Sequence, residues 1–275
     1  MRKLLAAFEH RSTKKVGLLL VGLLSAGTVA AQRRSANDLE LWPELQADYA
    51  LKGDDYAWLG LNAPNATSND NGAQLGLRAG YERFWNTQWS GGGLLRFYSY
   101  SARQGGVSTR YVDVTPELYV RHWNTLGSFN FRQRLGLEYN IPGGDSQSRA
   151  LVRLRFDLDR VVPVGRVLLR PRLAYEGRAF LRLQRDQNEP KERVIDYTAL
   201  RAEIGIRLSD HFDFTPWFAH QSAYAFVLPQ TDAKGNITIP GGRRNFVTPA
   251  LGLDVRYTLF RGKQVFERRQ LPTQH

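Results

Sequence analysis

His220-Gln221-Ser222 sets a histidine and a serine two residues apart, so on an extended chain they share one face. An imidazole beside a hydroxyl is the smallest set from which a nucleophile and its base are assembled. That face also carries Phe214 and Phe218, and polar groups are costly against apolar surroundings. Asn245 has the parity of Val247 and Leu251 in the next segment, which would place it on the same face. Other chemistry is thinly represented. The chain has no cysteine, which excludes disulfides, thiolate nucleophiles, cysteine-bound metal and lipid attachment at cysteine. Gly91-Gly92-Gly93 lacks the Lys-Ser/Thr sequel of a phosphate-binding loop. Asp145 and the acids of 186–192 sit in polar loops, where solvated charge is the ordinary reading and weak calcium binding the alternative. No metal site and no cofactor are expected.

The elements that would carry these residues are strands. In 149–160, Ala150, Val152, Leu154, Phe156 and Leu158 fall on one face, and Arg149, Leu151, Arg153, Arg155, Asp157 and Asp159 on the other. The same alternation runs through 39–51, 73–85, 111–123, 128–140, 166–178, 197–208, 212–226 and 245–259, with 56–62 and 89–101 less regular. That makes about eleven strands, many longer than the usual five or six residues. Beyond the first thirty or so residues, no stretch has helical periodicity or the apolar length of a spanning helix.

Arg2, Lys3, Arg11, Lys14 and Lys15 precede an apolar run from Val16 to about Ala30, with small residues at Val29 and Ala31. This is the pattern of a secretory signal peptide over 1–31, cleaved before Gln32, which leaves 32–275 as one domain. The 275-residue chain has 38 Lys+Arg and 26 Asp+Glu, a net charge of +12. Without 1–31, 33 basic and 25 acidic residues remain, a net +8. The arginines are spread over alternating strands rather than gathered in a patch, so no nucleic-acid partner is expected.

Long strands with dyad alternation fit an antiparallel transmembrane up-and-down β-barrel of 10–12 strands. The competing architecture is a soluble sandwich or lipocalin-like barrel, with the apolar face inward. Aromatics at strand ends favour the membrane barrel: Tyr81, Phe84, Trp85 and Trp89 at one turn, Trp123 and Phe129 at another, and Phe212, Phe214 and Trp217 after a third read as an interfacial girdle. Short connections near 53–55, 86–88, 124–127, 161–165 and 209–211 alternate with long ones near 65–72, 103–109, 141–147, 182–195 and 229–244. The tail 263–270 is a candidate twelfth strand.

In that fold, Glu44, Arg78, Glu117, Arg121, Arg132, Arg134, Glu138, Arg153, Arg155, Asp157, Arg170, Arg172, Glu176, Arg201, Glu203, Asp254 and Arg256 would share the lumen. They could pair into a network that fills it, which is the favoured reading, or line a small anion-preferring pore. Pro43, Pro116, Pro171, Pro216 and Pro249 fall inside strands on the apolar face. Bulges are the expected accommodation, and a lateral gap in the ladder is the alternative.

The stretches "ELWPELQADYAL", "GYERFWNTQWSGG" and "LRAEIGIRLSDHFDFTPWF" resemble an uncharacterised family, domain of unknown function 2490, over roughly residues 38–260. The resemblance implies a small outer-membrane β-barrel of a Gram-negative bacterium and no particular activity. "HQS" is also similar to the His-x-Ser pair of outer-membrane phospholipase A. That resemblance implies Ser222 as nucleophile, His220 as base and Asn245 as the residue that orients the histidine. Here the pair is followed by Ala223-Tyr224-Ala225 rather than Asn-Gly, and the serine-to-asparagine spacing is longer. The expectation is a monomer in the bacterial outer membrane, with lipid as its partner and the barrel-assembly machinery during biogenesis. A lipid-acting hydrolase and a pore are the alternatives.

Overall fold

The computed structural model describes residues 33–259, apart from 52–53, 65–73, 105–106, 145–146, 166, 182–193, 228, 233–234 and 240. The candidate strand 263–270 and the loop acids Asp145 and 186–192 lie outside the described residues. In chain order the strands are β1 (Arg33–Ala36), β2 (Glu40–Ala50), β3 (Tyr56–Asn62), β4 (Leu75–Phe84), β5 (Trp89–Gln104), β6 (Val107–Leu126), β7 (Phe129–Asn140) and β8 (Arg149–Asp159). There follow β9 (Val162–Val164), β10 (Val167–Phe180), β11 (Ile195–Arg207), β12 (Phe212–Val227), β13 (Gln230–Thr231), β14 (Ile237–Ile239) and β15 (Gly242–Leu259).

Eleven of these form a closed barrel. Each of β2 to β8 pairs antiparallel with the next, β8 pairs with β10, and the ladder continues through β11 and β12 to β15. β15 then pairs with β2, from Ala250↔Glu40 to Leu259↔Tyr49, and this pair is parallel. The direction follows from parity: with an odd number of alternating strands, the first and the last run the same way. The remaining short strands are accessories. β9 folds back on β10, and β13 and β14 make a small hairpin between β12 and β15.

Two connections differ from the sequence expectation. The stretch 103–109 is not a long loop: the β5–β6 ladder runs on to Gln104↔Val107. The 161–165 turn contains β9. The other short turns stand as expected, with left-handed glycines at Gly127 (φ 63°) and Gly165 (φ 60°), where a side chain would be strained.

The prolines cause no bulges. Pairing is continuous through Leu95↔Pro116, Pro171↔Ile204, Pro216↔Leu253, His220↔Pro249 and Leu253↔Pro43. The register shift in β10 falls at Arg178/Ala179, away from any of them. Their fixed φ fits an extended strand, so each removes a donor without adding a residue.

The facing of side chains is inverted relative to a water-soluble barrel. Leu45, Leu118, Leu135, Leu137, Leu154 and Leu173 are exposed on the outside, Leu118 at 70%. Glu44, Arg78, Glu117, Arg134, Arg155 and Asp254 are buried inside. Outward positions of the barrel strands carry charge towards strand ends, as at Arg83, Arg110 and Arg243. Eleven strands enclose a wider lumen than the eight that ordinary side chains fill. Long arginines and tryptophans occupy it, and glycines on neighbouring strands make room for the rings. Trp58 lies directly opposite Gly80, Trp217 opposite Gly252, and Tyr119 opposite Gly92. A methyl group at Gly252 would come within 2.1 Å of the Trp217 indole, and one at Gly80 within 2.6 Å of Trp58.

Candidate functional site in the barrel lumen

Every charged residue that alternation assigns to the lumen lies on an inward position. Sequence alternation left out Arg96, Asp213 and the full set of aromatics. In β5 the run Gly91-Gly92-Gly93 hides the period that would have turned Arg96 inward.

The half of the lumen nearest the short turns is filled. Its centre is Glu82, which is wholly buried. Its carboxylate accepts hydrogen bonds from the hydroxyls of Tyr56 (2.7 Å), Ser90 (2.7 Å) and Tyr119 (3.1 Å), and pairs with Arg121. Trp123 donates its indole N–H to the Ser90 hydroxyl at 2.9 Å, while the Arg132 guanidinium lies 5.3 Å from the Trp123 ring. Further round the wall, Asp159 holds Arg132 (2.5 Å), Arg170 (2.9 Å) and Arg172 (3.6 Å). Arg256 bridges Asp213 (3.2 Å) and Asp48 (3.7 Å). Tyr56, Glu82, Ser90, Asp48, Asp159 and Thr258 each keep at most 1% of their surface. They come from six different strands, so the seal is a cross-section of the barrel rather than one patch.

Three aromatics expected in the girdle belong to this interior. Trp123 and Phe84 pack around the Glu82 cluster, their rings 5.9 Å apart. Trp217 donates to Asp254 at 2.7 Å, lies 3.9 Å from the Arg201 guanidinium and meets Trp42 edge-on at 5.9 Å. The signal was available in parity: Trp123 alternates in step with Arg121, and Trp217 with Asp213. A buried indole also needs an acceptor, which the lumen supplies. Tyr81, Trp85, Trp89 and Phe129 are exposed outside at the turn end, as expected.

Towards the long loops the lumen opens into a cavity of about 710 Å³. Arg78, Arg134, Arg155, Arg201, Trp42 and Trp217 form its deep end, and Tyr98, Tyr100, Phe180 and Tyr197 stand higher on the wall. A chain of ion pairs runs round it: Arg134 and Arg96 on Glu117, Arg96 on Glu138 (2.8 Å), Arg153 on Glu138 and Glu176, and Arg201 on Glu203 and Asp254 (2.7 Å each).

The charge balance differs between the halves. Eight arginines line the cavity (78, 96, 134, 149, 153, 155, 178 and 201) against five acids, Asp113, Glu117, Glu138, Glu176 and Asp196. Below it, Glu44, Asp48, Glu82, Asp157, Asp159, Glu203, Asp213 and Asp254 outnumber Arg121, Arg132, Arg170, Arg172, Arg207 and Arg256. The arginine surplus therefore belongs to the open half alone.

The histidine–serine pair stands elsewhere, on the outward face of β12. His220 is exposed there and pairs with Pro249, while Ser222 is shielded between Thr198 and Val247. Asn245 lies opposite Tyr224, four residues of β15 from Pro249, or roughly 13 Å along the strand. The three share a face but this register does not assemble them: the asparagine flanks the serine side, not the histidine. Tyr224 instead hydrogen-bonds Thr198 at 3.0 Å.

Among the described residues no three His, Cys, Asp or Glu side chains are grouped as a metal site would require. No family model, curated protein or solved structure matches the chain.

Proposed function

We propose that the chain is a bacterial outer-membrane β-barrel whose lumen is closed at the turn end, so that it is not a through-pore. The observation that carries this is the facing of the strands, with aliphatic residues outside and paired charge inside. In water that arrangement would expose apolar surface on every side, whereas a bilayer welcomes it. The spacing of outward rings supports the same reading. From Phe214 to Tyr224 is ten residues of β12, ~34 Å of strand, or ~24 Å of height at a tilt near 45°. An apolar band about 25 Å tall is usual for such barrels. The basic and apolar start of the chain supports export, and the stretches that resemble domain of unknown function 2490 agree.

The test is a substitution whose cost depends on the solvent outside. Leu118 points outward near the middle of β6. Leu118→Arg is expected to lower folding stability by about 2–4 kcal/mol in lipid vesicles. On a water-facing surface the same change would stay within about 0.5 kcal/mol, and that result would sink the membrane reading. The wild-type protein is also expected in the outer-membrane fraction and electrically silent in planar bilayers. Steady single-channel steps would overturn the sealed lumen.

A further inference from the structure

We infer that the loop-end cavity is a binding site for a ring-bearing organic anion, a carboxylate or phosphate on a planar or cyclic body, held with its charge towards the barrel centre. This rests on the reading of the lumen as sealed, since a ligand in a through-pore would pass rather than lodge.

Four observations converge. The volume, about 710 Å³, lies within the range of small-molecule sites, roughly 300–1,000 Å³. The lining holds three more arginines than acids. Donor capacity makes the imbalance larger than the count. Eight guanidinium groups offer ~40 N–H donors and five carboxylates ~20 acceptor sites, so the wall is built to receive oxygens it does not itself supply.

The third observation is the vertical order of side chains. Arg134, Arg155 and Arg201 stand deep, while rings stand nearer the mouth on two separate walls. On the β5–β6 hairpin, Tyr98, Tyr100 and Tyr111 make a ladder with centroids 6.2 and 5.7 Å apart. On the β8–β11 side, Arg149 lies 5.1 Å from the Phe180 ring and Arg178 5.3 Å from Tyr197. A bare anion would use the arginines and leave the rings idle. A neutral ring would leave the charge idle. Fourth, the acid-rich layer beneath the floor repels an anion that moves further down, which gives the site a bottom in electrostatics as well as in sterics.

The experiment uses the full chain, folded in detergent micelles and checked for silence in planar bilayers, with calorimetric titration of 2-naphthoate and 2-naphthyl phosphate. Inorganic phosphate and neutral 2-naphthamide are the comparison probes. At least one naphthyl anion is expected to bind saturably, tenfold or more tightly than either comparison probe, and more weakly as salt rises. Arg149→Gln combined with Arg178→Gln changes two positions at the mouth and is expected to weaken that binding about tenfold. The single variant Arg155→Gln reads the deep end and should do the same. No saturable binding by either naphthyl anion to a folded, silent barrel would overturn the proposal. So would equal binding of naphthamide, or of inorganic phosphate. A barrel that conducts overturns the sealed-lumen reading instead, whatever the titrations give, so the two failures are told apart.

Discussion

The two halves of the lumen are made from the same residue types, yet one is solid and the other hollow. Near the turns, Tyr56, Tyr119, Trp58 and Trp123 fill the gaps between ion pairs, and Glu82 gathers four donors at one carboxylate. Near the loops the pairs hug the wall, from Glu117 through Arg96, Glu138 and Arg153 to Glu176. Arginine and carboxylate alone therefore do not close a barrel of this width. Aromatic bulk does, and neighbouring glycines let it reach inward.

The comparison can be broken by moving the hollow downward. Removing the ring layer with Tyr119→Ala, Trp123→Ala and Arg121→Ser together is expected to turn a silent barrel into a conducting one in planar bilayers. The matching loss in the cavity, Tyr98→Ala with Tyr100→Ala, should leave it silent. If both sets conduct, or neither does, the seal is not where the structure has it. Smaller changes sharpen the contrast. Glu82→Ala strands the Arg121 cation among buried groups, and breaking a buried pair in this way costs about 3–5 kcal/mol. Urea unfolding in micelles would show the loss. Gly252→Val drives a side chain into Trp217 and should cost about 1–3 kcal/mol through overpacking, read by the same titration. At the mouth, Arg178→Gln removes a pair whose guanidinium is about one-third exposed, and the expected cost is at most about 1 kcal/mol. A reversal of the order, with Arg178 costing more than Glu82, would contradict the account of which half holds the fold together.

Much of this was legible in the residues. Period-two alternation placed Leu154 outside and Arg155 inside, and the same rule assigned every charged lumen residue it named. The rule also held the answer for Trp123 and Trp217, but proximity to turns suggested a girdle and outweighed parity. What one strand cannot show is register. The pairing of Trp217 with Gly252, or of Tyr119 with Gly92, exists only once two strands are aligned, and so does the distance that keeps Asn245 from His220. Strand number is another such property. Residues 103–109 carry loop-like polarity, yet the hairpin continues through them, because polar side chains beyond an apolar band do not end a ladder. The parallel closure was implicit in a count that sequence left between ten and twelve.

That closure has a practical consequence. Because β2 and β15 run side by side in one direction, the chain enters the barrel at one rim and leaves it at the other. An epitope inserted ahead of Glu40 and another placed after Leu259 would sit on opposite sides of any sheet of material the barrel crosses. A protease added to one side should clip only one of them. The molecule thus carries its own sidedness reporter, and a single digestion of intact cells would tell which way the hollow end faces.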